Sequence, residues 1–75
     1  MGTRRFDVLQ VDGRWLLTDS GARMRWFLSS QAALAEGTCW ARARELPTIV
    51  YLWQGGEASE VYRNKAAEPR TKAAE

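Results

Sequence analysis

Apolar and polar residues roughly alternate along Phe6-Asp7-Val8-Leu9-Gln10-Val11, the pattern of a strand with one side against a core. Asp12-Gly13 follows, a strong two-residue hairpin signal because a type I′ turn needs positive φ at both central positions. Arg14-Trp15-Leu16-Leu17-Thr18 is then the return strand. A two-residue turn sets the register: Val11 faces Arg14, Leu9 faces Leu16 and Val8 faces Leu17. One side therefore carries Phe6, Val8, Trp15 and Leu17. The other carries Asp7, Leu9, Val11, Arg14, Leu16 and Thr18. After an Asp19-Ser20-Gly21 turn cluster, residues 23–28 read as a third strand, whose alternation predicts Met24, Trp26 and Leu28 as its core side.

The spacing then changes from two to about 3.6. Ser29 or Ser30 can cap a helix over Gln31 to Glu45, which Leu46-Pro47 ends, since the residue before proline is pushed out of helical geometry. Ala33, Leu34, Gly37, Ala41 and Arg44 share one helical stripe, with small residues that permit close approach to a sheet. Trp40 stands beside Gly37, and Cys39 points away. Thr48–Gln54 is rich in β-branched and aromatic residues, Gly55-Gly56 makes a second two-residue turn, and Glu57–Arg63 returns. Uninterrupted register predicts Val50, Leu52 and Val61 on one side, with Ile49, Tyr51, Trp53, Glu60 and Tyr62 on the other. The expectation is an α+β fold of two layers, one helix on an antiparallel sheet of four or five strands in the order β-β-β-α-β-β.

Seventy-five residues allow one domain, assigned to 1–63. Residues 64–75 turn polar and alanine-rich, with Lys65-Ala66-Ala67-Glu68 repeated as Lys72-Ala73-Ala74-Glu75 around Pro69, and are expected to form a disordered or frayed tail. A chain of this size buries only ~60% of its unfolded surface, so eight aromatic side chains are a large share of any core.

The chain is similar to a family of short bacterial domains of unknown function that share a hairpin, a helix and a second hairpin. The resemblance runs over about residues 6–63. It is carried by Asp12-Gly13-x-Trp15-x-Leu17, Gly21, Phe27-x-Ser29, Ala33-Leu34, Glu45-Leu46, Gly56 and Tyr62. These are turn, cap and core positions, so the resemblance implies a fold and no activity. It also implies a core position for Phe27, against the alternation of the third strand.

Chemistry is sparse. The chain has no histidine, so the commonest general base and metal ligand is missing, and no Ser–His or Cys–His pair can form. Cys39 is the one cysteine, which excludes an internal disulfide or a cysteine metal cluster and makes a reducing, cytoplasmic setting the expectation. Asp7, Asp12, Asp19, Glu57 and Glu60 form no convergent pair by spacing, and Gly55-Gly56 lacks the lysine and helix of a phosphate loop. No enzyme, metal, cofactor or small-molecule substrate is therefore expected. No apolar run approaches the ~20 residues of a membrane span, and none follows Arg4-Arg5 as in a signal peptide.

Net charge is +2, mild for a dedicated nucleic-acid binder. Nine of the eleven basic residues are arginine, which is enriched at interfaces, although arginine-rich codon usage explains the same bias. One helix shelters only one side of a sheet, and the other should then be polar. Here it is not: Leu9, Arg14, Leu16, Tyr51, Trp53 and Tyr62 are predicted on the open side. Exposed apolar patches mark interaction sites. The expected role is a small protein-interaction module, self-associating or binding a protein partner. The alternative is single-stranded nucleic-acid binding by stacking on the same aromatics, which Asp7 and Glu60 on that side disfavour. An inverted facing, or a loop or tail over this side, would remove both.

Overall fold

A computed structural model describes residues 3–19 and 23–67. The elements are β1 (Arg4–Val11), β2 (Arg14–Thr18), β3 (Met24–Phe27), α1 (Ser30–Arg42), β4 (Thr48–Gln54), β5 (Glu57–Arg63) and a 3₁₀ turn over Lys65–Ala67. Five strands form one sheet in the order β3-β2-β1-β4-β5, with α1 on one face. This is the two-layer α+β architecture expected.

Both hairpins close as their turn residues require. Asp12 and Gly13 have φ of 51° and 80°, and Gly55 and Gly56 have 61° and 83°. The register of β1 on β2 pairs Val8 with Leu17, Leu9 with Leu16 and Val11 with Arg14. At the next connection, the Asp19 carboxylate accepts from the Arg23 amide at 2.8 Å. Ser20 and Gly21, the rest of that turn cluster, lie outside the described residues.

The sheet is mixed, where an antiparallel one was expected. β1 pairs with β4 in parallel, Phe6 beside Val50 and Val8 beside Leu52. The cause is the helical crossover. β1 and β3 run the same way, each antiparallel to β2, and α1 carries the chain back so that β4 starts from the end where β3 and β1 start.

Ser29 is the helix cap, its Oγ accepting from the Ala32 amide at 3.1 Å. Ala33, Gly37 and Ala41 are buried against the sheet. A Cβ on Gly37 would stand 3.1 Å from Leu17 Cδ1 and 3.5 Å from Val50 Cγ1, so close approach is what this glycine provides. Trp40 flanks the contact and meets the Phe6 ring edge-on, centroids 5.4 Å apart. Phe6, Val8, Leu17 and Val50 complete the buried core, with Trp15, Phe27, Leu34, Leu52 and Tyr62 packed around it.

The helix ends at Arg42 rather than Glu45. Its last carbonyls are taken over by a side chain from the other end of the fold. Asn64 Nδ2 donates to the carbonyls of Ala41 (3.0 Å), Arg44 (3.3 Å) and Leu46 (2.9 Å), and its Oδ1 accepts from the Thr48 and Ala67 amides at 3.0 Å each. Asn64, the first residue of the segment read from sequence as a tail, is buried. Residues 68–75 of that segment lie outside the described residues.

Two predicted facings are corrected. On β3, Met24 and Trp26 are 57% and 47% exposed and lie on the open side, and Leu28 just beyond is exposed too. β2 sets the phase, because residues directly opposite share a face. Phe27 sits opposite Trp15 and Arg25 opposite Leu17, so Phe27 packs on the core and Arg25 reaches over the helix side to Glu36 at 3.2 Å. On the last hairpin, a bulge between Val50 and Tyr51 pairs Val50 with Tyr62 and Tyr51 with Glu60, stepping over Val61. One extra residue reverses the facing beyond it. Tyr62 therefore turns to the helix side, and Val61, predicted inward, is exposed.

Candidate interaction face of the sheet

The face away from α1 is built by the alternate residues of all five strands. Of the six residues singled out from sequence, Leu9, Arg14, Leu16, Tyr51 and Trp53 stand on it, and Tyr62 does not, for the reason just given. Met24 and Trp26 join it instead.

Cross-strand pairing arranges these side chains in rows. Trp26 lies opposite Leu16, Leu16 opposite Leu9, and Trp53 opposite Ala58. The β1–β4 ladder ends at Val8 and Leu52. One residue further the two hairpins part, and Leu9 and Trp53 of the open face, with Gln10, Trp15 and Gln54 of the helix side and the Gly55-Gly56 turn, line a cleft of about 540 Å³ at the end of the sheet. The result is an apolar row, Trp26–Leu16–Leu9–Trp53–Ala58, running across the strands, notched between Leu9 and Trp53. Leu9 and Leu16 are half-buried by their neighbours. The two tryptophans at 47% and 36% exposure are not.

A polar lattice flanks the row on one side. Arg5 reaches Asp7, with Nη2 to Oδ1 at 2.8 Å, and its guanidinium lies 4.2 Å from the centroid of the Tyr51 ring. The Trp53 indole N–H donates to Asp7 Oδ1 at 2.9 Å. Tyr51, Arg5, Asp7 and Trp53 thus hold one another in place. The hydrogen bond to Asp7 holds the Arg5 pKa above its ordinary value, against a small opposing cost of burial. On β5, Arg63 makes two 2.7 Å bonds to Glu60 and holds that carboxyl below the usual carboxylate range. At the far end of the row, Arg14 lies over the Trp26 ring, 5.4 Å from its centroid. An apolar strip with charged, mutually satisfied groups beside it has the anatomy of an interface core and rim.

Trp26 and Met24 were missed because alternation within one four-residue strand has two equivalent phases. The signal that would have found them is the pairing of β3 to β2, in which buried Leu17 forces Arg25, not Trp26, to the helix side. The Arg5–Asp7–Trp53 lattice joins residues 46 positions apart and leaves no local trace.

No family model, no curated protein and no solved structure matches the chain. Among the described residues, no helix is long and apolar enough to cross a membrane.

Proposed function

We propose that this chain is a non-enzymatic protein-interaction module that binds through the open face of its sheet. The observation that carries the reading is the exposure of Trp26, Met24 and Trp53 in one layer with Leu9 and Leu16, on a face over which no element of the described chain packs. Tryptophan and arginine are the side chains most often found at binding hot spots, where an aromatic is desolvated in a pocket. Trp53 is already oriented by Asp7, and Trp26 by Arg14, so little conformational freedom remains to be lost when a partner covers them.

Single-stranded nucleic acid is the less favoured ligand. Bases would need open ring faces and surplus cations. Here Arg5 and Arg14 already lie over Tyr51 and Trp26, while Asp7 and Glu60 share the face. The test compares wild type with Trp26→Ala and Trp53→Ala in two assays, protein association and oligonucleotide binding at low salt. Loss of protein association in both variants, with their circular dichroism unchanged, supports the reading. Salt-sensitive oligonucleotide binding that Trp53→Ala abolishes replaces it with the nucleic-acid reading.

A further inference from the structure

The geometry points to the cleft at the end of the sheet as a binding site for an uncharged saccharide, a pyranose whose hydroxyls lie around the rim of its ring. The site goes beyond the docking reading of the open face. It shares only Leu9 and Trp53 with that face and draws its polar groups from the other side of the sheet.

The cleft begins where β1 and β4 cease to pair. Continuing the parallel register of Val8 beside Leu52, Gln10 and Gln54 stand at matching positions on its two sides. One tryptophan borders it from each side of the sheet, Trp15 from the helix side and Trp53 from the open side. Its volume of about 540 Å³ falls within the roughly 300–1,000 Å³ of small-molecule sites, which combine aromatic walls with a few placed polar groups. Both tryptophans are held before any ligand arrives. Trp15 packs against the core, and the Trp53 indole N–H donates to Asp7 at 2.9 Å. Little side-chain freedom is therefore left to lose on binding. The Gly55-Gly56 turn lays no side chain across the mouth, and a Cβ at either glycine would meet open space.

The chemistry of the lining selects the ligand. It includes no charged residue, so a phosphate or carboxylate would give up water there without a counter-charge. The Gln10 and Gln54 carboxamides and the Trp15 indole N–H have no hydrogen-bond partner among the described residues. A wholly apolar ligand would cover these groups and leave them unpaired. Each carboxamide both donates and accepts, and so does each hydroxyl of a sugar. A pyranose with equatorial hydroxyls presents them around its rim and keeps C–H bonds on its two faces. Those weakly positive hydrogens suit the negative face of an indole ring. A nucleobase also stacks on aromatic rings, but a nucleotide brings a phosphate to which this lining offers no cation.

The test titrates the full isotope-labelled chain with cellobiose to about 20 mM, with mannitol and adenosine as comparison ligands, followed by nitrogen–proton NMR. Cellobiose is expected to give saturable shifts at the Gln10 and Gln54 side-chain amides and the Trp15 indole N–H, and mannitol, which has no ring face, none. Gln10→Ala and Gln54→Ala remove exposed side chains and are each expected to weaken cellobiose about fivefold, the worth of one neutral hydrogen bond. Trp26→Ala, remote from the cleft, is expected to leave cellobiose binding unchanged. No shift with cellobiose overturns the site, and so do equal shifts with mannitol. Adenosine saturating the same groups while cellobiose does not overturns it in favour of a base. Loss of protein association in Trp26→Ala with no cellobiose shift in wild type removes the saccharide site and leaves the open face a docking surface. Cellobiose shifts with no association at all do the reverse.

Discussion

Asn64 is one polar side chain on which four parts of the fold converge, and replacing it is the sharpest test of how the fold is held. It is 2% exposed and its carboxamide bonds the end of α1, the connection to β4, the first residue of β4 and the 3₁₀ turn. Asn64→Ala deprives the fully buried Thr48 amide of the Oδ1 it donates to. Abandoning a buried donor costs about 1–3 kcal/mol. The carbonyls of Ala41 and Leu46 lose less, because Ala41 also accepts from the Arg44 amide and Leu46 from the Thr48 hydroxyl. At about 0.5 kcal/mol for each of these, the total is about 3 kcal/mol. A 75-residue domain has only about 4–11 kcal/mol in all. The expected shift in Tm is on the order of 15–20 °C.

Asn64→Asp keeps the shape and removes the two donors. It also sets a carboxylate against three carbonyls at a helix C-terminus, where the helix dipole disfavours negative charge. Its acid would have a folded-state pKa above the unfolded value. The folded state then binds the proton more tightly, so the variant gains stability as pH falls through that pKa, and at pH 7 it is less stable than Asn64→Ala. Urea titrations read by circular dichroism at pH 7 and near pH 4 measure both effects. A loss under about 1 kcal/mol for Asn64→Ala, or an aspartate variant indifferent to pH, would refute the reasoning.

The remaining predictions concern the core, the facing of β3 and one ion pair. Gly37→Ala is expected to destabilise by about 1 kcal/mol in denaturant titration: the added methyl meets the fully buried Leu17 at 3.1 Å, and overpacking outweighs the ~1 kcal/mol gain in helix propensity. Phe27→Ala is expected to cost about 2–3 kcal/mol, whereas Trp26→Ala stays within about 1 kcal/mol of wild type in dilute solution; the reverse order would restore the facing predicted from sequence. The Glu60 carboxyl, followed by carbon NMR, should titrate below an ordinary glutamate, and Arg63→Met should return it upward. Its pairing with Arg63 favours the fold above the unfolded-state glutamate pKa, and this small, solvent-screened effect is lost as pH falls through the lower folded pKa.

The parts of this fold legible in the sequence are those set by neighbours along the chain. Asp12-Gly13 and Gly55-Gly56 announce their turns because positive φ is a property of the residues themselves, and the register of the first hairpin follows at once. Ser29 caps α1 through an amide three residues away, and the small stripe Ala33, Gly37, Ala41 marks the face that meets the sheet. What the sequence did not show depends on partners far away in it. The parallel β1–β4 contact is a consequence of where the helix returns the chain. The phase of β3 belongs to β2, and the role of Asn64 depends on carbonyls 18 to 23 residues earlier. Five of the six residues assigned to the open face from sequence stand there, because their facing was fixed by tight turns or by a strand of one unbroken phase.

The sixth, Tyr62, shows how much composition of a face can rest on one backbone irregularity. In a regular ladder the side opposite Val50 would receive Val61, and Tyr62 would lie outward beside Tyr51. The bulge exchanges them, so that the larger ring fills the margin of the core under α1 and the smaller valine is left at the sheet edge. The exchange helps a domain with so little interior. A tyrosine buries more apolar area than a valine, and a bulged, twisted edge is a poorer template for unwanted strand pairing than a regular one. It also concentrates the remaining exposed aromatics. With Tyr62 withdrawn, the outward tryptophans of β4 and β3 stand in a single row of apolar side chains with Leu16 and Leu9 between them, and β5 contributes to that face only Ala58 and charged or edge residues. The bulge thus serves the core and the open face together, because a side chain taken into one is necessarily removed from the other.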